Sequence, residues 1–138
     1  MLLNINEIQH EVDKLTLKIN YPAHSITLCT APSGDGTPYI SFDNEEYNYI
    51  YSERGYEFSR KISKSIDDLL YWIMHSFVSE VAFAYELKHR IHGRDGRRMA
   101  FPMIVELMAN MNSEWGIRSQ EDINEILSNA PYNDSLYL

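Results

Sequence analysis

The spacing of apolar residues changes near residue 64, and this change restricts the folds that the chain can adopt. From His24 to Ser63 apolar and polar residues alternate in short runs, which is typical of β-strands separated by turns. From Ser65 onward apolar residues recur at every third or fourth position, as one face of a helix requires. Strands followed by helices, rather than alternating with them, predict an α+β fold.

The first half of the chain predicts one helix and a small sheet. Apolar residues spaced three or four apart predict a helix from Asn6 to about Lys18, and Pro22 stops it. An antiparallel meander of three or four strands follows. Its predicted segments lie near residues 26–28, 39–42, 47–52 and 56–62.

The second half predicts three helices. Ser65 and Asp68 form a capping-box pattern, so a long core helix is expected over residues 66–91. A shorter helix is expected from about Gly96 to Met111, with Asp95 as N-cap and Pro102 inside it. A second shorter helix is expected to begin at the Ser119 capping box and to end before Pro131.

Charge limits the partners of this chain. It has 138 residues, which suits a single domain over residues 1–138, and 20 acidic residues against 12 basic ones give a net charge of −8. Such acidity disfavours direct binding of nucleic acid or of an anionic membrane, and it favours a basic partner. Many of the basic residues lie in one segment, residues 88–98, whose net charge is +4.

Several absences shape the expected location and chemistry. Cys29 is the only cysteine, which fits a reducing compartment, and Met1 to His10 shows no signal-peptide pattern. The longest uncharged apolar run, Leu69 to Ser79, has eleven residues, fewer than the ~20 that a membrane span needs. We therefore expect a cytoplasmic protein with no membrane association and no cofactor.

Metal chemistry is the alternative that the residues allow. Glu86, His89 and His92 lie near the end of the long helix, and a His pair with a carboxylate can hold zinc. Glu7 with His10 repeats the Glu-x-x-His spacing of Glu86 with His89, as in di-iron bundles. A small metal-dependent hydrolase is the alternative function, although solvated helix ends explain the same residues.

Arg97 and Arg98 are expected in the first turn of a helix, where the helix dipole disfavours cations by about 0.3–1 kcal/mol each. An external anion or an internal carboxylate could compensate. We favour the internal carboxylates Glu53 and Glu57, because they lie on strands close in sequence to the long helix and can pair with arginine.

Tyrosines at alternate positions put Tyr47, Tyr49 and Tyr51 on one face of the third predicted strand. Exposed aromatic rings of this kind can form a binding platform. Packing of the same rings between the sheet and a helix is the other interpretation, and it is the one we favour.

Five short motifs, in this order and spacing, resemble immunity protein family 63, the predicted antidotes of bacterial polymorphic-toxin and contact-dependent growth-inhibition loci. The similarity is strongest over residues 39–134. The motifs are Tyr51-Ser52-Glu53-Arg54-Gly55, Asp67-Asp68-Leu69-Leu70-Tyr71, Tyr85-Glu86-Leu87 with Arg90, Asp95-Gly96-Arg97-Arg98 with Phe101, and Pro131-Tyr132-Asn133-Asp134.

The resemblance implies a small cytoplasmic α+β protein, not an enzyme, that binds a cognate toxin domain such as a nuclease with a basic cleft. We interpret the motif residues as a shared scaffold in which a strand-end Glu-Arg-Gly faces the arginines at the helix start. These scaffold residues are Glu53, Arg54, Gly55, Asp95, Arg97, Arg98 and Phe101.

Toxin contacts are expected outside this scaffold, because antidotes to different toxins need different contact residues. The acidic meander turn supplies charge that would steer a basic partner, and the neighbouring tyrosines supply aromatic anchors. The predicted contact residues are Asp43, Glu45, Glu46, Tyr47 and Tyr49.

Overall fold

The structure is a computed structural model that describes residues 2–137, and it confirms the predicted α+β fold. An N-terminal helix precedes three antiparallel strands, and three helices follow. The elements are α1 (Ile5–Lys18), β1 (Tyr39–Ser41), β2 (Tyr47–Glu53), β3 (Tyr56–Ser63), α2 (Ile66–Lys88), α3 (Arg97–Met111) and α4 (Ser113–Asn129), with single 3-10 turns at Asp43–Glu45 and Asp134–Tyr137.

The chain divides into two compact units, Met1–Ile73 and Met74–Leu138, and the division falls within the bounds of α2. No helix in the described part of the chain combines the length and the apolar character that a membrane span needs.

The first unit contains α1 and a sheet with the strand order β1-β2-β3. The central strand β2 is buried along most of its length, with Tyr47 and Ile50 each 1% exposed. Helix α1 begins at Ile5 because Asn4 caps it: the Asn4 side chain accepts from the Glu7 N–H at 2.9 Å, and the Glu7 carboxylate accepts from the Asn4 N–H at 2.9 Å.

The strand predicted near residues 26–28 does not form, so the meander has three strands in the described residues. The backbone of this segment finds other partners. The Gln9 amide of α1 donates to the Ile26 carbonyl at 2.8 Å and accepts from the Leu28 N–H at 3.3 Å. A side chain that satisfies these groups removes the need for a neighbouring strand.

The second unit brings α3 and α4 into close contact. Gly116 of α4 is buried against Ala109 of α3, and a Cβ placed at Gly116 would lie 2.6 Å from the Ala109 Cβ. Helix α3 continues through Pro102, although proline cannot donate to the carbonyl four residues earlier.

Two predicted helix boundaries are wrong, and so is one predicted N-cap, because Gly96 and not Asp95 is the N-cap residue of α3. Helix α4 begins at Ser113 rather than Ser119, because the Asn112 side chain caps it by accepting from the Glu114 N–H at 3.0 Å. Ser119 instead lies buried inside α4, where its hydroxyl donates to the Gly116 carbonyl at 3.0 Å. Helix α2 ends at Lys88, three residues before the predicted end.

The close approach of α3 and α4 predicts strong coupling between Gly116 and Ala109. Gly116→Ala should be destabilising through overpacking, which costs about 1–3 kcal/mol and is partly offset by the higher helix propensity of alanine. Adding Ala109→Gly removes the shortest contact, that with the Ala109 Cβ at 2.6 Å, and leaves a contact of 3.0 Å with the Cα of residue 109. In urea unfolding, the double variant should therefore lose less free energy of unfolding than the two single variants lose together, by about 1–3 kcal/mol. Additive effects would contradict this packing.

Candidate functional site

The acidic turn between β1 and β2 is exposed at its tip. Asp43 and Glu45 are exposed and Glu46 is half-buried. The Asp43 carboxylate accepts from the Ser41 hydroxyl at 2.9 Å and lies 3.7 Å from a guanidinium nitrogen of Arg60. Asn44 and Glu45 have φ values of 57° and 58°, a left-handed geometry that non-glycine residues seldom adopt. The turn therefore presents carboxylates to solvent from a tightly bent backbone.

Tyr47 and Tyr49 lie in the core of the first unit, with 1% and 4% of their surface exposed. The Tyr47 hydroxyl accepts from the Leu3 N–H at 2.7 Å, and the Tyr49 ring stacks on Trp72 with the ring centroids 6.5 Å apart. The prediction that these two rings serve as aromatic anchors therefore needs correction, because a buried ring offers no surface to a partner. The packing interpretation describes both residues.

Glu53, Arg54 and Gly55 form the tip of the β2–β3 hairpin, and all three are exposed. Glu53 pairs with Tyr56, so Arg54 and Gly55 are the two turn residues. Their φ values are 51° and 81°. Two consecutive positive φ values define the turn that best matches the twist of a hairpin, and glycine adopts such a value without strain. This part of the family motif has a local structural role.

Asp95 is the centre of a buried charge network at the start of α3. Its side chain is 1% exposed and accepts from the Arg97 guanidinium at 2.9 Å. It also accepts from the backbone N–H groups of Arg97 and Asn133, at 3.0 and 2.9 Å. A buried carboxylate is tolerated only when it is paired and hydrogen-bonded, and here both conditions are met.

The arginines of α3 hold the C-terminal segment of the chain. Arg97 donates to the carbonyls of Ala130 and Pro131, both at 2.8 Å. Arg98 donates to the Asp134 carboxylate at 2.9 Å, and its guanidinium lies 4.5 Å from the centre of the Tyr132 ring. We call residues 130–134 the C-terminal strap.

Phe101 completes the apolar side of this network. It is 7% exposed, and its ring centre lies 6.2 Å from that of Phe83 and 6.4 Å from that of Tyr132. The Arg97 guanidinium lies 5.8 Å from the Phe101 ring. Arg97 is therefore held by a carboxylate, two carbonyls and aromatic faces, which together restrict its orientation.

The compensation of Arg97 and Arg98 is internal, but the predicted carboxylates were wrong. Asp95 and Asp134 pair with them. Glu57 instead pairs with Arg60 at 2.7 Å, and Glu53 is exposed at the hairpin tip. The spacing of residues in the sequence could not identify Asp134, because it lies 36 residues from Arg98. Asp134 nevertheless belongs to one of the five motifs that resemble the family. Arg60 was missed altogether.

Three of the proposed metal ligands, Glu86, His89 and Glu7, have other partners. Glu86 is buried and accepts from Arg90 at 3.0 Å, and His89 Nδ1 lies 2.9 Å from the Tyr85 carbonyl oxygen. Glu7 belongs to the α1 cap. Among residues 2–137, no three His, Cys, Asp or Glu side chains are placed to share a metal ion. The described residues therefore do not bring Glu86, His89 and His92 together around one point.

Asp95→Asn should destabilise the protein, because it leaves the guanidinium of Arg97 largely buried without its counter-charge. The expected loss in urea unfolding at pH 7 is about 2–3 kcal/mol. Asp134→Asn is the matched control, since its side chain is 44% exposed and its loss should be smaller. Equal losses for the two variants would contradict the central role of Asp95.

Lowering the pH should reduce the difference in the free energy of unfolding between Asp95→Asn and the unaltered protein. The Arg97 guanidinium, with backbone N–H groups, lowers the pKa of Asp95 below its ordinary value of 3.8. The folded state then binds the Asp95 proton less tightly than the unfolded state, so this contribution is present above about pH 4 and is lost as pH falls further. A constant difference from pH 5 to pH 2.5 would contradict the pairing.

Comparison with known proteins gives a family match. No curated protein and no solved structure matches the chain. The family model for Immunity protein 63 matches residues 43–125, from the acidic turn through most of α4. The matched range includes the hairpin tip and the Asp95–Phe101 segment, whereas the C-terminal strap lies beyond it. Because the match covers more than half of the sequence, the chain belongs to the Immunity protein 63 family.

Proposed function

We propose that this protein binds and neutralises the toxin domain encoded beside it, in a polymorphic-toxin or contact-dependent growth-inhibition system. The family match over residues 43–125 is the observation that carries the proposal. The protein acts in the cytoplasm of the cell that makes the toxin, and residues 1–138 work as a single immunity domain. It needs no cofactor and performs no catalysis.

The charge of the chain supports a basic partner. A net charge of −8 produces a negative potential that accelerates association with a cationic surface. A nuclease that binds phosphate backbones has such a surface at its cleft. If the acidic protein binds over that cleft, it excludes nucleic acid both sterically and electrostatically. We therefore favour occlusion of the cleft as the mechanism.

The acidic turn is our proposed steering element. Asp43 and Glu45 project from an exposed turn, and Glu46 follows them. Long-range attraction depends on the summed charge of such exposed groups and weakens as salt screens it. The buried pair of Asp95 and Arg97 contributes little to this field, because its two charges neutralise one another at 2.9 Å.

Co-expression tests the function itself. Cells that produce the toxin domain encoded immediately upstream should survive when they also produce this protein, because the complex blocks the toxin. A toxin domain from an unrelated locus serves as the specificity control and should still kill. Equal killing by the cognate domain with and without this protein would refute neutralisation of that toxin.

Charge reversal tests the steering element. Changing Asp43, Glu45 and Glu46 to Lys should slow association with the toxin domain about tenfold at low salt and flatten the salt dependence of the rate. The matched control reverses the exposed helix residues Glu106, Glu121 and Glu125, which changes the net charge equally. Stopped-flow kinetics measures both. Equal slowing in the two variants would show that net charge alone matters.

A further inference from the structure

Strand β3 is an open edge of the sheet. Within the described residues it pairs on one side only, with β2, and six of its eight residues are exposed. The opposite edge is shorter and better covered, because β1 has three residues and the Ile40 N–H donates to the Cys29 carbonyl at 2.9 Å. An exposed edge strand carries unpaired N–H and C=O groups, with which another strand can pair.

A β-bulge places Glu57 and Arg60 on one face of the sheet. Glu57 pairs with Ser52 and Arg60 pairs with Ile50, and these two partners lie two positions apart on β2. Residues three positions apart would lie on opposite faces of a regular strand, but Phe58 is an extra residue in this register. The Arg60 guanidinium donates to the Glu57 carboxylate at 2.7 Å, which agrees with a shared face.

The charges of β3 are distributed unequally along the strand. Its first half carries the carboxylate of Glu57, and its second half carries the cations of Arg60 and Lys61. If two copies of β3 pair antiparallel, the carboxylate half of each copy lies opposite the cationic half of the other. A parallel pair would place like charges opposite one another, which is destabilising. An antiparallel second copy therefore complements this edge in charge.

One register satisfies the charges and the faces together. When the two-fold axis passes between residues 58 and 59, Glu57 of each copy lies opposite Arg60 of the other. Both residues lie on the same face of their strand, as residues opposite one another in a continuous sheet must. The two copies then form a ring of four alternating charges, in which each carboxylate has one guanidinium along its own strand and one across from it.

The other face of this pairing contains exposed aromatic rings. Tyr56 and Lys61 share that face, because their partners on β2 lie four positions apart. Tyr56 is 71% exposed, and in this register it lies opposite Lys61 of the second copy. Phe58 is 53% exposed and adjoins the axis, and its ring centre lies 6.3 Å from that of Tyr51 on the same face. A second copy would therefore cover rings that the single chain leaves in water.

We propose that the open edge of β3 binds the β3 strand of a second copy of this chain, antiparallel, so that two three-stranded sheets join into one sheet of six strands. This inference goes beyond the proposed function and needs no toxin domain. The net charge of −8 makes two copies repel one another at long range, but at about 0.15 M salt charges more than about 8 Å apart are largely screened. Because one edge strand from each copy makes a small interface, we expect a dissociation constant on the order of 10 µM.

Sedimentation equilibrium of the full chain tests the association. As the concentration rises from about 1 to about 200 µM, the mass should rise from 16.1 kDa towards twice that value. Hydrogen exchange of the amides of residues 56–63 should slow over the same range, whereas exchange in α1 should not change. A constant mass of 16.1 kDa, or slowing only outside β3, would overturn the proposal. So would protection of β3 that appears only when the toxin domain is added.

Charge reversal tests the register. Glu57→Arg and Arg60→Glu each place like charges opposite one another, so each variant should dimerise at least about tenfold more weakly than the unaltered protein. In an equimolar mixture, the carboxylates of one variant lie opposite the guanidinium groups of the other, and a heterodimer should form with nearly the original affinity. The pair within the strand is broken in both variants, so recovery can come only from contact between two chains.

The matched control reverses another ion pair whose members lie three residues apart, Glu11 and Lys14 of α1. Glu11→Lys and Lys14→Glu change the net charge in the same way and should leave the dimer unchanged. Circular dichroism checks that each variant keeps its fold. The hydrogen-exchange test stands even if Arg60→Glu, which also loses a bond to Asn48 at 2.9 Å, does not fold. A dimer that survives either folded β3 variant, or a mixture of folded variants that stays monomeric, would overturn the assignment.

Discussion

The buried carboxylate of Asp95 is the group on which the second unit depends most. It receives the guanidinium of Arg97 and two backbone N–H groups, one of them from Asn133, 38 residues further along the chain. Through these bonds a single side chain fixes the start of α3 and the return of the C-terminal strap. Without it, Arg97 would lose its carboxylate partner at the positive end of the helix dipole, whereas Arg98 would keep Asp134.

Charge has different roles in the two units. In the second unit, Asp95, Arg97, Arg98 and Asp134 satisfy one another, so their hydrogen-bonding capacity is largely used within the unit. In the first unit, Asp43 and Glu45 are exposed to solvent at the turn between β1 and β2. This division is compatible with the function that we propose, in which a stable scaffold can be kept while the surface that meets the toxin changes.

The differences between the sequence-based predictions and the structure have identifiable causes. Alternation correctly placed Tyr47 and Tyr49 on one face of a strand, but it could not show that this face is covered. The residues around Ser119 match a capping box in sequence, but Asn112 caps α4 earlier in the chain and Ser119 lies buried inside the helix. Gln9 of α1 satisfies the backbone near Ile26, which no local signal indicates.

Short-range sequence patterns were sufficient to predict the fold class, the order of helices and strands, and the family resemblance. The spacing of apolar residues, the capping residues and the turn residues each act over only a few positions. Local spacing also correctly indicated that Arg97 and Arg98 need compensation. Tertiary structure alone decided which carboxylates supply it and which aromatic rings reach the surface. The pairing of Arg98 with Asp134 joins residues 36 positions apart. This pairing and the burial of Tyr47 and Tyr49 on β2 depend on contacts between distant segments, which produce no periodic pattern in the sequence.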